Sequence, residues 1–265
     1  MSLPTASRKK DVFEKLEYAQ EKRHELLEKL NEAEDGKHEF RFISQDAASI
    51  LSTAREVFDY LANDIVDHHV IPVTSDAALK KRHADGKLKV YFPFYPKQLG
   101  PNELWGKVSA IIPAIFGDLS KFVTTLEKDE FLPQTRINGG TFTDLNRMVN
   151  EKKHDKLLSV DKEEGRIAKF NTPNVQMKFD VAEMKDFTRI VVGPNEIQIV
   201  PRTPLLYVER PKNTEFQVVG EASKSRGRLY YFEGNKQEVG KFCAYLLSGT
   251  TLVMRDFYTK YFAAD

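Results

Sequence analysis

Cysteine is nearly absent from this chain. Cys243 is the only one in 265 residues, so neither an internal disulfide nor a cysteine-based zinc cluster can form. No apolar run approaches the ~18 residues needed to cross a bilayer, so no membrane span is expected. A net sign of charge is also missing. Forty Lys and Arg face 39 Asp and Glu, a formal charge of +1. That balance excludes a broadly basic nucleic-acid coat but leaves room for a local basic groove. Arg8, Lys9 and Lys10 are not followed by an apolar core, which speaks against a secretory signal. No phosphate loop, dinucleotide fingerprint or serine-hydrolase elbow occurs. A cytoplasmic protein without cofactor or metal is the expectation.

Helical spacing dominates the first 160 residues. Val12, Leu16, Ala19, Leu26, Leu27 and Leu30 predict an amphipathic helix over about 8–34, with Gly36 as its stop. Leu51, Ala54, Phe58, Leu61 and Ile65 recur at steps of three and four. They predict a second helix, capped near 44–46, that packs lengthwise against the first as an antiparallel hairpin. Residues 71–100 are looser, and the aromatic stretch 89–95 with Pro93 reads as an extended segment laid over the bundle. A further helix is expected from Pro101, kinked or divided at Pro113.

After Gly165 the spacing changes to two. Residues 175–179, 189–192, 196–200, 205–208, 216–219 and 229–232 read as short strands of an antiparallel sheet. Residues 193–195, Gly-Pro-Asn, read as a hairpin turn, and 224–228 as a basic turn. From about 238 to 262 a helical stripe returns and includes Cys243, expected in the core. The fold expectation is therefore α+β. A helical bundle over 1–160 is followed, over 161–265, by a small antiparallel sheet and a closing helix packed on the bundle.

One stretch suggests a site by spacing alone. On a helix running from Thr141 or Thr143 to about Val160, Arg147, Asn150, Glu151 and His154 share a face. A guanidinium can bind phosphate, and an imidazole can move a proton near neutral pH. Together they could serve attack by a ribose 2′-hydroxyl without a metal. The competing reading makes His154 a core hydrogen-bonding residue and Arg147 a surface partner of Glu151. Asp64 and His68, four apart, could ligate a metal only with a third residue such as His83 or His154. The alternative is that His68 and His69 complement helix-end carbonyls. Tyr91, Phe92, Phe94 and Tyr95, interleaved with Lys87, Lys89 and Lys97, could stack on bases and meet phosphates. The alternative is a plug of core aromatics.

Three segments together resemble a known group. They are 58–66 (Phe-Asp-Tyr-Leu-Ala-Asn-Asp-Ile-Val), 91–94 (Tyr-Phe-Pro-Phe) and 145–158, with Asn150, Lys153, His154 and Lys156. In order and spacing, over about 45–160, they resemble uncharacterised bacterial helical proteins related to the HEPN superfamily. The resemblance implies a helical bundle and an RNA-directed role. Its catalytic form is a metal-independent endoribonuclease of a bacterial defence or toxin system. Arg147, Asn150 and His154 are then the catalytic set, and Lys153, Lys156, Tyr91 and Lys97 contact substrate. Arg147 and His154, with six residues between them, fit the arginine-to-histidine spacing of HEPN RNases at its outer limit, although Met148 stands where a polar residue is usual. It also implies RNA or a nucleotide as partner and a homodimer in which two such motifs meet. The alternatives are a non-catalytic nucleotide- or protein-binding module and a structural oligomeric subunit.

Overall fold

The protein is described by a computed structural model covering residues 3–34, 42–128, 141–153, 160–172, 175–180, 189–192, 197–200, 205–209, 221–235 and 237–263. The described residues are predominantly helical. α1 spans Lys9–Glu34 and α2 spans Ile43–Ile65, continued by a π turn at Val66–Val70. α3 is Ala77–Ala84, α4 is Leu104–Val108, α5 is Pro113–Lys128, α6 is Thr141–Lys153 and α7 is Val239–Tyr261.

The three- and four-residue spacing of α2 is a buried seam. Leu51, Ala54, Phe58, Leu61 and Ile65 are all fully shielded from solvent. α1 lies antiparallel to it, because the partners run in opposite order along the two helices. Arg8 pairs with Asp64, Lys15 with Glu56 and Lys29 with Asp46. α2 begins at Ile43, with Phe42 in the capping position and no side-chain cap. The expected cap at 44–46 is thus corrected: Ile43 is needed in the core and draws the helix back. The expected break at Pro113 appears as a division, with α4 ending at Val108 and Pro113 opening α5. A helix starting at Pro101 is not formed, since residues 101–103 make a turn first.

α7 joins the same core as α1 and α2. Tyr258 stacks near Phe13, with ring centroids 6.0 Å apart. A β-carbon on Gly240 would approach Leu27 to 2.8 Å, so glycine permits the close contact of the two helices there. Cys243 is fully buried, and burial pushes its thiol well above the ordinary range, leaving it an inert core residue. Glu238 caps the helix by accepting hydrogen bonds from the Gly240 and Lys241 amides.

Between α6 and α7 lie six strands among the described residues: β1 Val160–Thr172, β2 Val175–Asp180, β3 Arg189–Val192, β4 Ile197–Val200, β5 Leu205–Glu209 and β6 Glu221–Phe232. Their pairings are antiparallel, in the order β5-β2-β1-β6, with β3 and β4 as a separate pair. Two expectations are corrected. β1 starts at Val160, where a helix end had been expected, because the charged run 161–164 hides the strand's alternation in the sequence. Residues 224–228 are not a turn but the middle of β6, with Gly227 opposite Gly165 of β1. Gly36, the 133–140 connection, the 193–195 turn and the 216–219 strand lie outside the described residues.

Candidate functional site

α6 is held by its inner side. Phe142, Leu145, Met148 and Val149 are buried, following helical spacing. The Phe142 ring meets Phe58 edge-on, with centroids 5.8 Å apart. A β-carbon on Gly249 of α7 would fall 2.8 Å from the same ring, so α7 closes tightly over α6 at that point.

A polar relay runs beneath this packing. Arg55 of α2 is buried, and its Nε donates to Asn146 Oδ1 at 2.9 Å. Its Nη1 lies 2.6 Å from the Asp59 carboxylate, and the guanidinium sits 4.7 Å from the centre of the Phe94 ring. Asp59 in turn accepts the Phe92 amide at 2.9 Å. Asn146, Arg55, Asp59 and Phe92 thereby tie α6, α2 and the extended 87–94 stretch into one unit. Sequence reasoning named Phe92 among the aromatics but missed Arg55, Asn146 and their link through Asp59. The available signal was a charged pair four apart, Arg55 and Asp59, flanking the apolar seam at Ala54 and Phe58.

The outer side of α6 carries two of the residues singled out by spacing, Arg147 and Asn150. Arg147 is half-exposed, and its Nη2 donates to Asp144 Oδ1 at 3.0 Å. Its guanidinium also lies against Gly234, where a β-carbon would come within 3.3 Å of Nη1. Asp144 accepts a second bond from Asn235 Nδ2 at 3.1 Å. Arg147 and Asp144 therefore brace α6 against the turn after β6, and the described ion partner of Arg147 is three residues back. Asn150 is exposed, one turn along from Arg147. Lys153 ends α6, and its side chain is not among those described; the same holds for Glu151. His154 and Lys156 lie outside the described residues.

Tyr91 and Lys97 belong to the 87–97 stretch, which reaches α6 through the relay. Tyr91 is exposed, and the Lys97 ammonium stands 5.7 Å from the Tyr95 ring. The stretch is divided in its use of aromatics. Phe92 and Phe94 are buried around Phe58, at centroid distances of 4.8 and 5.2 Å, so stacking on a ligand is open to Tyr91 but not to them.

The histidine cluster at the end of α2 turns out to be a structural hub. Asp64 is fully buried and accepts from Ser7 Oγ at 2.9 Å, the Arg8 amide at 3.1 Å, Arg8 Nη1 at 2.8 Å and Tyr258 OH at 3.0 Å. Arg8 also pairs with Asp67 at 2.8 Å, and Asp67 with His83 Nε2 at 2.8 Å. Burial disfavours the Arg8 charge, but hydrogen bonds to Asp67 and Asp64 outweigh that and raise its pKa. Burial and the Asp64 charge push the Tyr258 hydroxyl far above its usual value, so it serves only as a donor. His69 donates from Nε2 to the Tyr261 carbonyl at 2.9 Å, complementing the end of α7 instead of its own helix. Among the described residues no group of three or more His, Cys, Asp or Glu is placed to hold a metal ion. No family model matches the chain, and neither a curated protein nor a solved structure matches it.

Proposed function

We propose that the protein is an RNA-directed, HEPN-like α+β protein that acts through the outer side of α6. The observation that supports this reading is the division of α6 into two sides. Leu145, Met148 and Val149 lock it into the core, and Arg147 and Asn150 face outward on a fixed support. The backbone of Lys153 continues that helix toward His154. In the catalytic form, Arg147 steadies charge on the scissile phosphate and Asn150 orients it, while His154 takes the proton of the ribose 2′-hydroxyl. A homodimer would set two such faces opposite each other.

One observation favours a non-catalytic binding module instead. Asp144 already engages the Arg147 guanidinium, so a phosphate must compete with a carboxylate for it. Purified protein incubated with mixed cellular RNA, with and without a chelator, separates the two. Cleavage leaving 2′,3′-cyclic phosphate ends, insensitive to chelator and abolished in folded Arg147→Ala and His154→Ala, supports the endoribonuclease. RNA binding without cleavage supports the module. Absence of both overturns an RNA-directed role.

A further inference from the structure

The near-zero net charge conceals a concentration of positive charge. Residues 77–97 hold six Lys and Arg and a single carboxylate, Asp85, so the remainder of the chain is net acidic. α3 is capped by Asp76 and buries only Leu79, leaving Lys80, Lys81 and Arg82 exposed. Gly86, with φ of +64°, then reverses the chain. The Lys87 and Leu88 amides both donate to the Arg82 carbonyl, at 2.8 and 3.0 Å, so the outgoing stretch starts beside the helix's last turn.

From there the extended backbone alternates. Val90 and Phe92 are buried and Leu88 half-buried, whereas Lys87, Lys89 and Tyr91 are exposed. Side chains two apart on such a backbone repeat every ~6.6 Å, comparable to the repeat of a stretched nucleotide chain. The row is fixed from behind. The Phe92 amide bonds Asp59, and the Trp105 indole donates to the Tyr91 carbonyl at 2.8 Å. Tyr91, 54% exposed as a residue, therefore stands out from an anchored backbone. Lys87 is paired with Asp85 at 3.3 Å, but among the described residues Lys80, Lys81, Arg82 and Lys89 enter no ion pair.

We infer that α3 and the 87–91 row form a binding surface for single-stranded nucleic acid. Lys80, Lys81, Arg82 and Lys89 meet backbone phosphates, and an unpaired base stacks on Tyr91. The inference rests on the RNA-directed reading above and names the form of nucleic acid that this second surface accepts. A duplex keeps its bases stacked on each other and offers Tyr91 no face. A membrane surface suits these residues less well, because α3 turns its one large apolar side chain, Leu79, into the core.

The test uses the full chain and labelled oligo-U and oligo-dT, with fluorescence anisotropy read across a salt series. A duplex of equal length and phosphatidylserine vesicles are the comparison arms. Both single strands should bind, more weakly as salt rises. Lys80→Glu, Lys81→Glu and Lys89→Glu combined should weaken binding roughly 100-fold at ~0.1 M salt and lower the salt slope by about 2. Tyr91→Ala should weaken it about 10-fold and leave the slope unchanged. Circular dichroism confirms that each variant is folded. Equal binding by the triple variant, tighter binding of the duplex, or binding to vesicles alone would overturn the inference. If the oligomers bind here and RNA is never cut, this surface stands and the cleavage reading falls. If RNA is cut and the triple variant binds and cuts like wild type, the surface falls and the α6 site stands.

Discussion

Two charge-rich regions of this molecule use the same residue types to opposite ends. At the hub around Asp64, every charge named is answered from within the chain. Arg8 serves two carboxylates, and Tyr258 and Ser7 complete the coordination of one of them. On α3 and the row that follows, Lys80, Lys81, Arg82 and Lys89 have no ion-pair partner among the described residues. A buried carboxylate without its donors is costly, so the hub must be satisfied for the chain to fold. Exposed cations lose little by standing apart in water, so the second region can keep its charge for something outside the chain. The contrast is one of burial, and composition alone does not reveal it.

The largest expected effect breaks the hub. Asp64→Ala leaves Arg8, Ser7 and Tyr258 without their shared acceptor and should cost roughly 3–5 kcal/mol in urea unfolding. A loss near zero would show that the hub is not a keystone. Tyr258→Phe removes one donor to a buried carboxylate while keeping the ring in place, and should cost roughly 1.5–3 kcal/mol in the same measurement.

A smaller effect concerns pH. Burial lowers the pKa of His69, against the raising effect of its bond to the Tyr261 carbonyl. The unfolded chain then takes up a proton before the folded one does. The His69 contribution is whole above the unfolded value of ~6.5 and is lost as pH falls from there to the lower folded value. Unfolding midpoints should decline over that window, and His69→Gln, which can still donate to the carbonyl, should flatten the decline. The smallest effect sharpens the comparison from the other side. Lys80→Glu combined with Lys89→Glu should leave the urea midpoint where it is, within the usual scatter of ±0.5 kcal/mol for surface changes. A clear loss would mean that these cations have structural work after all.

What was legible in the sequence follows from range. The α2 seam shows because its five residues repeat within fifteen positions, and periodicity is a local signal. The division at Pro113 shows for the same reason, since proline acts on its own turn. The hub stayed hidden because its partners lie far apart, with Tyr258 bonding a residue 194 positions away. Asp64 and His68 looked like two-thirds of a metal site, when Asp64 was committed to Arg8 and Tyr258 and His68 lay 3.2 Å from Ser7. For the candidate site, Arg147 and Asn150 do share the outer side of α6, but the bracing of Arg147 by Asp144 and Gly234 depends on a turn some ninety residues later. Of the aromatic run, only burial could tell that Phe92 and Phe94 belong to the core and Tyr91 does not.

The placement of α7 has a consequence for the birth of the protein. α1 and α2 leave the ribosome well before α7, yet part of what covers them is that last helix of the described fold, including Tyr258 against Phe13 and Gly240 against Leu27. At synthesis rates of roughly 5–20 residues per second, the hairpin waits on the order of ten seconds or more before α7 arrives. Over that interval its apolar faces are open to other nascent chains and to chaperones. Slowed elongation between α2 and α7 should therefore lower soluble yield without altering the finished molecule.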